Sequence, residues 1–393
     1  MCARYAATLS VVGLVGSLAG CAAAPSAGGS PASPSVHARY VVSPKVALPP
    51  PSDKRSVGFA VVGGPNRVLV TVGSQAGSSQ VLAATAAGTD VRNIGPRIPA
   101  DEYPESMFFL DATHGWIATF SAVRNEMLYR TSDGGRSWQA FPAPDHVIAA
   151  GTTDVVQFVT PDVGWLADIE PTGPVERLYE TTDGGESWQQ VALLNQGLPR
   201  LGVVEFEPGD AVGWLGGVPS YPGPLEFSTD SGQDWQAAAL PDSQVSSIAG
   251  VPSIFGTTLI EPVVGCSDRA TELSTYLSAD NGAQWSLTST ADIASGCEQV
   301  ATAFPSQSVG WAAVLSRGRV VVERSSDQGR DWATVATPRL TTSDPPEIIA
   351  PNASYAWLVV PGLDGTRVYV TNDAGKTWRR IDQNFTRSTA DYG

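Results

Sequence analysis

Histidine is almost missing from this chain: there are 3 in 393 residues, His37, His114 and His146. No Cys-x-x-Cys or His-x-x-x-His pair occurs, so a zinc centre is not expected. A Ser-His-Asp triad would have to use His114 or His146, and the first lies in turn-forming sequence while the second stands alone. There is no phosphate-cradling glycine loop and no EF-hand loop; Asp364-Gly365 reads as a turn. Neither a metal nor a cofactor is expected. Basic residues are also few. With 24 Lys and Arg against 39 Asp and Glu the net charge is −15. Such a chain lacks the basic stripe that nucleic acid needs and does not dock directly on anionic lipid.

Cysteine is the next scarcity, with Cys2, Cys21, Cys266 and Cys297 only. The apolar stretch Ala6 to Leu18 follows Arg4, is too short to span a bilayer, and reads as an export signal. Leu18-Ala19-Gly20-Cys21 at its end resembles the lipobox of bacterial lipoproteins, which implies that Cys21 becomes the lipidated first residue of the mature chain. The expected division is a signal peptide over 1–20, an Ala/Ser/Pro/Gly-rich tether over 21–54, and a folded domain over 55–393. Cys2 then leaves with the signal, so Cys266 and Cys297 remain as an even pair in an oxidising compartment, where a disulfide is expected.

What the chain has is a repeat. The pattern Thr/Ser-x-Asp-x-Gly-x-x-Trp, here called the box, occurs six times, with its aspartate at Asp133, Asp183, Asp230, Asp280, Asp327 and Asp373. The period is 50, 47, 50, 47 and 46 residues, in the range of propellers and solenoids. A second mark, Gly115-Trp116, Gly164-Trp165, Gly213-Trp214, Gly310-Trp311 and Ala356-Trp357, precedes five of the boxes. These five tryptophans and the six of the boxes are all 11 in the chain, so tryptophan serves packing rather than a ligand platform. Short alternating or apolar runs bounded by Pro, Gly and Asp give four strands per period, one propeller blade, with the box in the turn between strands three and four. Asp and Ser/Thr hydrogen-bond such a turn and Gly supplies its positive φ. Six aspartates in one repeated slot are expected to be structural, since catalysis needs unlike residues.

Ahead of the first full box, Gly58-Phe59 and Gly73 to Gln80 match the spacing of the two marks and are read as a degenerate first blade. In the fifth blade Phe255-Gly256 stands near the missing Gly-Trp, which lengthens the inner part by about nine residues. The expected fold is therefore all-β: a seven-bladed propeller of four-stranded antiparallel blades, six with a box and one degenerate. The segment near Ala38–Val42 is left with two pairings to close the ring, within blade 1 or against the last blade. Cys266, between strands two and three of blade 5, and Cys297, between blades 5 and 6, fall on the face opposite the boxes, which strengthens the expected disulfide.

The boxes resemble the bacterial neuraminidase (BNR) or Asp-box repeat superfamily over about residues 56–384. The double pattern, clearest at 115–138 and 164–188, is most similar to propellers of the photosystem II stability and assembly factor type. That resemblance implies a non-enzymatic, partner-binding propeller, a type also found as bacterial lipoproteins. The alternative it leaves open is a sialidase-like exo-glycosidase with an Arg-rich pocket. Pro96-Arg97-Ile98-Pro99 matches the Arg-Ile-Pro of that family's first carboxylate-gripping arginine, but its other arginines, its acid and its Tyr–Glu pair have no recognisable context here. The candidate binding residues on the loop face opposite the boxes are Arg124, Arg177, Tyr221, Arg269, Arg317 and Arg319. The expected protein is an exported monomer, lipid-anchored at the outer face of the cytoplasmic membrane or in the envelope, that engages an unidentified envelope protein or glycan. Replacing Cys21 by Ala is expected to abolish incorporation of labelled fatty acid and release the chain from membranes; label retained by Cys21→Ala would refute the lipobox.

Overall fold

A computed structural model describes residues 56–388, except 63–66, 74–78, 100, 122–125, 145–152, 170–176, 194–202, 208–211, 217–224, 242–247, 267–269, 297 and 363–364. The expected signal, Cys21, the tether and the segment Ala38–Val42 lie outside the described residues. Seven antiparallel sheets follow one another along the chain, each meeting the next face to face as blades of a propeller. Blade 1 is β1 (Ser56–Val62), β2 (Arg67–Gly73), β3 (Ser79–Thr85) and β4 (Arg92–Asn93). Blade 2 is β5 (Glu102–Phe109), β6 (Gly115–Ser121), β7 (Met127–Thr131) and β8 (Gln139–Pro142). Blade 3 is β9 (Thr153–Phe158), β10 (Gly164–Ile169), β11 (Arg177–Thr181) and β12 (Gln189–Leu193). Blade 4 is β13 (Val203–Phe206), β14 (Gly213–Gly216), β15 (Glu226–Ser228) and β16 (Gln236–Ala237). Blade 5 splits its first strand into β17 (Ile248–Ala249) and β18 (Ser253–Phe255), both paired with β19 (Thr258–Cys266), and continues with β20 (Ala270–Ser278) and β21 (Ser286–Ser295). Blade 6 is β22 (Gln299–Ser306), β23 (Val309–Ser316), β24 (Arg319–Ser325) and β25 (Ala333–Thr334). Blade 7 is β26 (Glu347–Ile349), β27 (Ala356–Val360), β28 (Arg367–Thr371) and β29 (Arg379–Arg380), and helix α1 (Asp382–Ser388) follows it. No helix among the described residues is long and apolar enough to cross a membrane.

Register explains why the two marks keep their spacing. The glycine of Gly-Trp lies directly across from the first box residue, as in Gly115↔Thr131, Gly164↔Thr181, Gly213↔Ser228 and Gly310↔Ser325. It must be glycine because a phenylalanine from strand one lies over it: a Cβ at Gly115 would collide with the Phe109 ring, and one at Gly164 with Phe158. In blade 7 the register Ile349↔Trp357 leaves Ala350 as the next residue towards Ala356. With no ring there, alanine is tolerated.

The tryptophan of that mark joins blade to blade. Trp116 is fully buried and stacks on Phe158 of blade 3, centroids 3.7 Å apart, while its Nε1 donates to Gly184 O in the next box at 3.0 Å. Trp165 repeats this on Phe206 at 3.8 Å and on Ser231 O at 3.2 Å. Truncating one such tryptophan to alanine costs roughly 3–5 kcal/mol by analogy with other large core residues.

Two expectations need correction. Arg67 pairs with Thr85 and Val68 with Ala84, so in blade 1 the Gly-Trp place is Arg67-Val68 and the box place starts at Thr85. Gly58-Phe59 lies in β1, and Gly73–Gln80 runs from β2 to β3 on the opposite face. With the Asp and both Trp lost, spacing alone matched the wrong hairpin, although Thr85 precedes Thr131 by 46 residues, one full period. In blade 5, Phe255 ends β18 and Gly256 opens the turn to β19; Leu259 faces Ser278, which puts Ile260 in the tryptophan place. Ile260 to Asp280 is 20 residues against 16–18 elsewhere, so the extra length is a taller β19–β20 hairpin, smaller than expected.

Acidic side chains inside the blades were not foreseen. Glu347 of β26 is 3% exposed, one carboxyl oxygen has no hydrogen-bond partner, and burial pushes its pKa from 4.5 to about 8. Glu261 of β19, fully buried against the Gly250 backbone, is raised for the same reason. A raised folded-state pKa means the native state holds the proton that the unfolded chain has released, so stability is lost as pH rises from 4.5 through about 8. Each such group contributes a slope of about 1.4 kcal/mol per pH unit in that window. Glu347→Gln is expected to remove one proton's worth of this slope and raise the denaturation midpoint at pH 8, measured by denaturant titration from pH 5 to 9; an unchanged slope would show that Glu347 is charged in the fold.

Candidate functional site

The two faces of the ring differ in what their polar groups do. On one face each box closes on itself. Thr131 Oγ1 donates to Asp133 Oδ1 at 2.9 Å and accepts the Gly135 N–H at 2.9 Å. Asp133 also accepts the Arg136 and Ser137 N–H groups at 2.9 Å each and the Ser137 hydroxyl at 2.6 Å. The box at Asp373 repeats the bonds from Thr371 and Thr377. The boxes of Asp183, Asp230, Asp280 and Asp327 repeat the hydroxyl–carboxylate bond at 2.7–2.8 Å. The Ser137 hydroxyl and then its N–H hold Asp133 at a pKa of about 2, and Thr377 does the same for Asp373. The N–H groups of Asp234, Gln284 and Asp331 lower Asp230, Asp280 and Asp327. Asp183 also falls to about 2, its bonds from Ser187 outweighing desolvation. These carboxylates are spent on the turn. No group of three or more His, Cys, Asp or Glu among the described residues is arranged to hold a metal ion.

His114 belongs to the same face, in the turn between β5 and β6. Its Nδ1 lies 2.8 Å from Asp111 Oδ2 and 3.1 Å from Thr113 Oγ1. Against desolvation, this ring and the Thr113 groups hold the Asp111 carboxyl below its ordinary range.

The opposite face carries the residues that do not repeat. Arg317 occupies a left-handed conformation, φ 51°, ahead of Gly318 at φ 76°, in the two-residue turn from β23 to β24. Its N–H donates to Glu298 Oε1 at 3.1 Å and its guanidinium to Ser295 Oγ of blade 5 at 3.2 Å, which ties the rims of blades 5 and 6 together. Arg319 begins β24, exposed, across a bridge from Thr341. Arg177 begins β11 in blade 3, three blades from the Arg317–Arg319 pair. Arg124, Tyr221 and Arg269 lie outside the described residues. Arg97 is exposed on the segment between β4 and β5.

A Tyr–Glu pair does exist, at a place that sequence reading missed. Tyr129 OH donates to Glu102 Oε2 at 3.1 Å, as does Thr119 Oγ1 at 3.2 Å. All three are buried within blade 2, on β7, β5 and β6, so solvent and substrate have no direct approach. Only the register brings them together, which no motif announces.

Cys266, at the end of β19, is disulfide-bonded; Cys297 lies outside the described residues. The neighbours of position 297 are nevertheless fixed. Thr271 is the register partner of Cys266, and its Oγ1 donates to Gly296 O at 2.6 Å and accepts the Glu298 N–H at 2.7 Å.

No family model matches the chain, and no curated protein does. Among solved structures it is similar to YCF48 bound to a D1 peptide, at 20% identity over 71% of this chain and 82% of that one, TM-score 0.47. It is also similar to YCF48 from Cyanidioschyzon merolae, at 16% identity over 72% and 87%, TM-score 0.46. A prolyl endopeptidase structure is similar at 11% identity over 83% of this chain and 48% of its own, TM-score 0.51, a likeness of fold alone.

Non-reducing peptide mapping is expected to recover one disulfide-linked peptide containing Cys266 and Cys297; recovery of Cys297 as a free thiol would exclude the pairing.

Proposed function

We propose that this chain is a non-enzymatic binding or assembly propeller, carried at the bacterial envelope by a lipid on Cys21, that docks a protein partner on the face opposite the boxes. The observation supporting this most directly is the division of labour between the faces. The box aspartates are consumed by identical turn hydrogen bonds. Recognition needs unlike groups at defined positions, and the candidates for that, Arg177, Arg317 and Arg319, stand at the other ends of the strands. Arginine suits such a surface because its planar fork pairs with carboxylates and its stem packs on apolar surface. The partner-binding propellers that the double Gly-Trp and box pattern resembles support a protein rather than a glycan as the occupant.

A photo-reactive residue placed at Arg177 or Arg319 is expected to capture a partner in intact cells, whereas the same residue at Ser137 or Ser187 on the box face is not. Capture from the box face alone would reverse the assignment. Hydrolysis of a fluorogenic sialoside by the purified protein, lost on Arg97→Ala, would replace this reading with the glycosidase one.

A further inference from the structure

Six of the seven blade boundaries are crossed by the chain itself. The seventh, between blade 7 and blade 1, is not: all four strands of blade 1 come from 56–93 and all four of blade 7 from 347–380. Neither sheet, among the described residues, takes a strand from the other end of the chain. Between these two sheets, contacts other than strand pairing oppose the entropy of opening the seam.

Three consecutive carbonyls in the turn after β3 receive the answer. Ala86 O accepts from Trp357 Nε1 at 3.1 Å, Ala87 O from Arg379 Nη2 at 2.6 Å, and Gly88 O from Asn384 Nδ2 of α1 at 2.8 Å. At the boundary of blades 2 and 3, Trp116 and Arg130 reach Gly184 O and Asp183 O, the places of Gly88 and Ala87, so at this seam the tryptophan bond moves to Ala86 O and an arginine again takes the second carbonyl. The carbonyl of Gly88, left by the tryptophan, is taken by the helix. Beside it, Ile381 and Phe385 are both fully buried in one apolar cluster with Leu69, Val70, Val81 and Leu82 of blade 1. Ile381 packs so closely on Gly88 that a Cβ there would lie 2.8 Å from it.

On its other side the helix is fastened to blade 7. Ile381 N–H donates to Val368 O at 2.8 Å, Val368 N–H donates to Asp382 Oδ1 at 3.0 Å, and Arg380 pairs with Asp382 at 2.8 Å. The turn that is gripped is also the one that needs gripping. Ala87 occupies the place of the box aspartate, so this turn is braced from within by Thr85 and Thr89, through their hydroxyl pair at 2.7 Å and backbone bonds, and by no carboxylate.

We propose that Ile381–Ser388 is a clasp that holds the seam between blade 7 and blade 1 shut, and that blade 1 is the segment it can release. The clasp is anchored on blade 7, and its grip on the Ala86–Gly88 turn and on the blade 1 core is what keeps the two terminal blades in register. Releasing it opens one seam and leaves the other six boundaries as they are.

Hydrogen exchange followed by mass spectrometry tests this on three proteins: the chain ended after Arg380, and full-length Phe385→Ala and Asn384→Asp. Ending the chain after Arg380 is expected to speed amide exchange at least tenfold in peptides covering 67–93 and 347–371, with blade 3 (residues 153–193) unchanged. Phe385→Ala should give the same pattern, and Asn384→Asp, which presents a carboxylate to the Gly88 carbonyl, a weaker version of it. If the shortened chain does not fold, the two full-length variants decide. No faster exchange at 67–93, or acceleration spread evenly round the ring, would overturn the proposal.

Discussion

The constraint on which this ring depends is the approach of one blade's core to the glycine of the next blade's box. Gly185 stands at φ 92°, and a Cβ there would collide with Leu128 of blade 2. The same place in the following boxes meets Leu178, Trp214, Thr275 and Val335 of the preceding blade. A side chain would be both strained in conformation and without room. The box's hydrogen bonds therefore do more than close a hairpin: they present a bare stretch of backbone on which the previous blade can seat its core and, in blades 2 and 3, its tryptophan N–H. Where blade 5 lacks that tryptophan, Thr275 and Ser289 deliver hydroxyls to Gly329 O instead, the latter at 2.6 Å. The seat is kept although the occupant changes.

This constraint also explains what could be read from residues alone. The box and the Gly-Trp mark are legible because their requirements are local: a hydroxyl two residues before a carboxylate, a glycine at positive φ, a glycine beneath a ring. Blade 1 and the inner part of blade 5 were misaligned where those residues are replaced, since Arg67-Val68 and Ile260 fill the same register positions with different chemistry. The Tyr129–Glu102 pair and the clasp were out of reach for another reason. Asn384 and Gly88 are 296 residues apart, and nothing in either segment announces the other. Of the candidate loop-face residues, Arg177, Arg317 and Arg319 could be assigned to the face opposite the boxes from the repeat, but the hydrogen bonds of Arg317 to Glu298 and Ser295 depend on how blades 5 and 6 meet.

The interior acids and the box acids pull in opposite directions. The box carboxylates gain partners on folding and favour the native state once ionised, an effect lost as pH falls towards about 2. Glu347 and Glu261 lose water without gaining a cation, and favour it only while protonated. The fold is thus best supported between those limits, on the acid side of neutrality. The six boxes together hold nine acidic residues and three basic ones, so much of the negative charge lies on the face whose aspartates are already committed to turns. Strong charge with no free geometry repels more than it recognises.

A closed ring of similar blades usually has its weakest point where the chain's two ends meet, because every other boundary has a covalent connection to keep its partners at high local concentration. Here that point coincides with the one blade whose box has decayed. The two facts are linked by the carbonyls of Ala86, Ala87 and Gly88, which stand in a turn without a box aspartate and which blade 7 and its helix engage from outside. Restoring an aspartate at position 87 would strengthen the turn from within only if its bonds left those carbonyls where the clasp finds them. The decay of the box and the helix that follows blade 7 are best understood as one arrangement, in which the turn of blade 1 keeps its Thr85–Thr89 bonds, lacks the carboxylate, and gains donors from blade 7 and its helix.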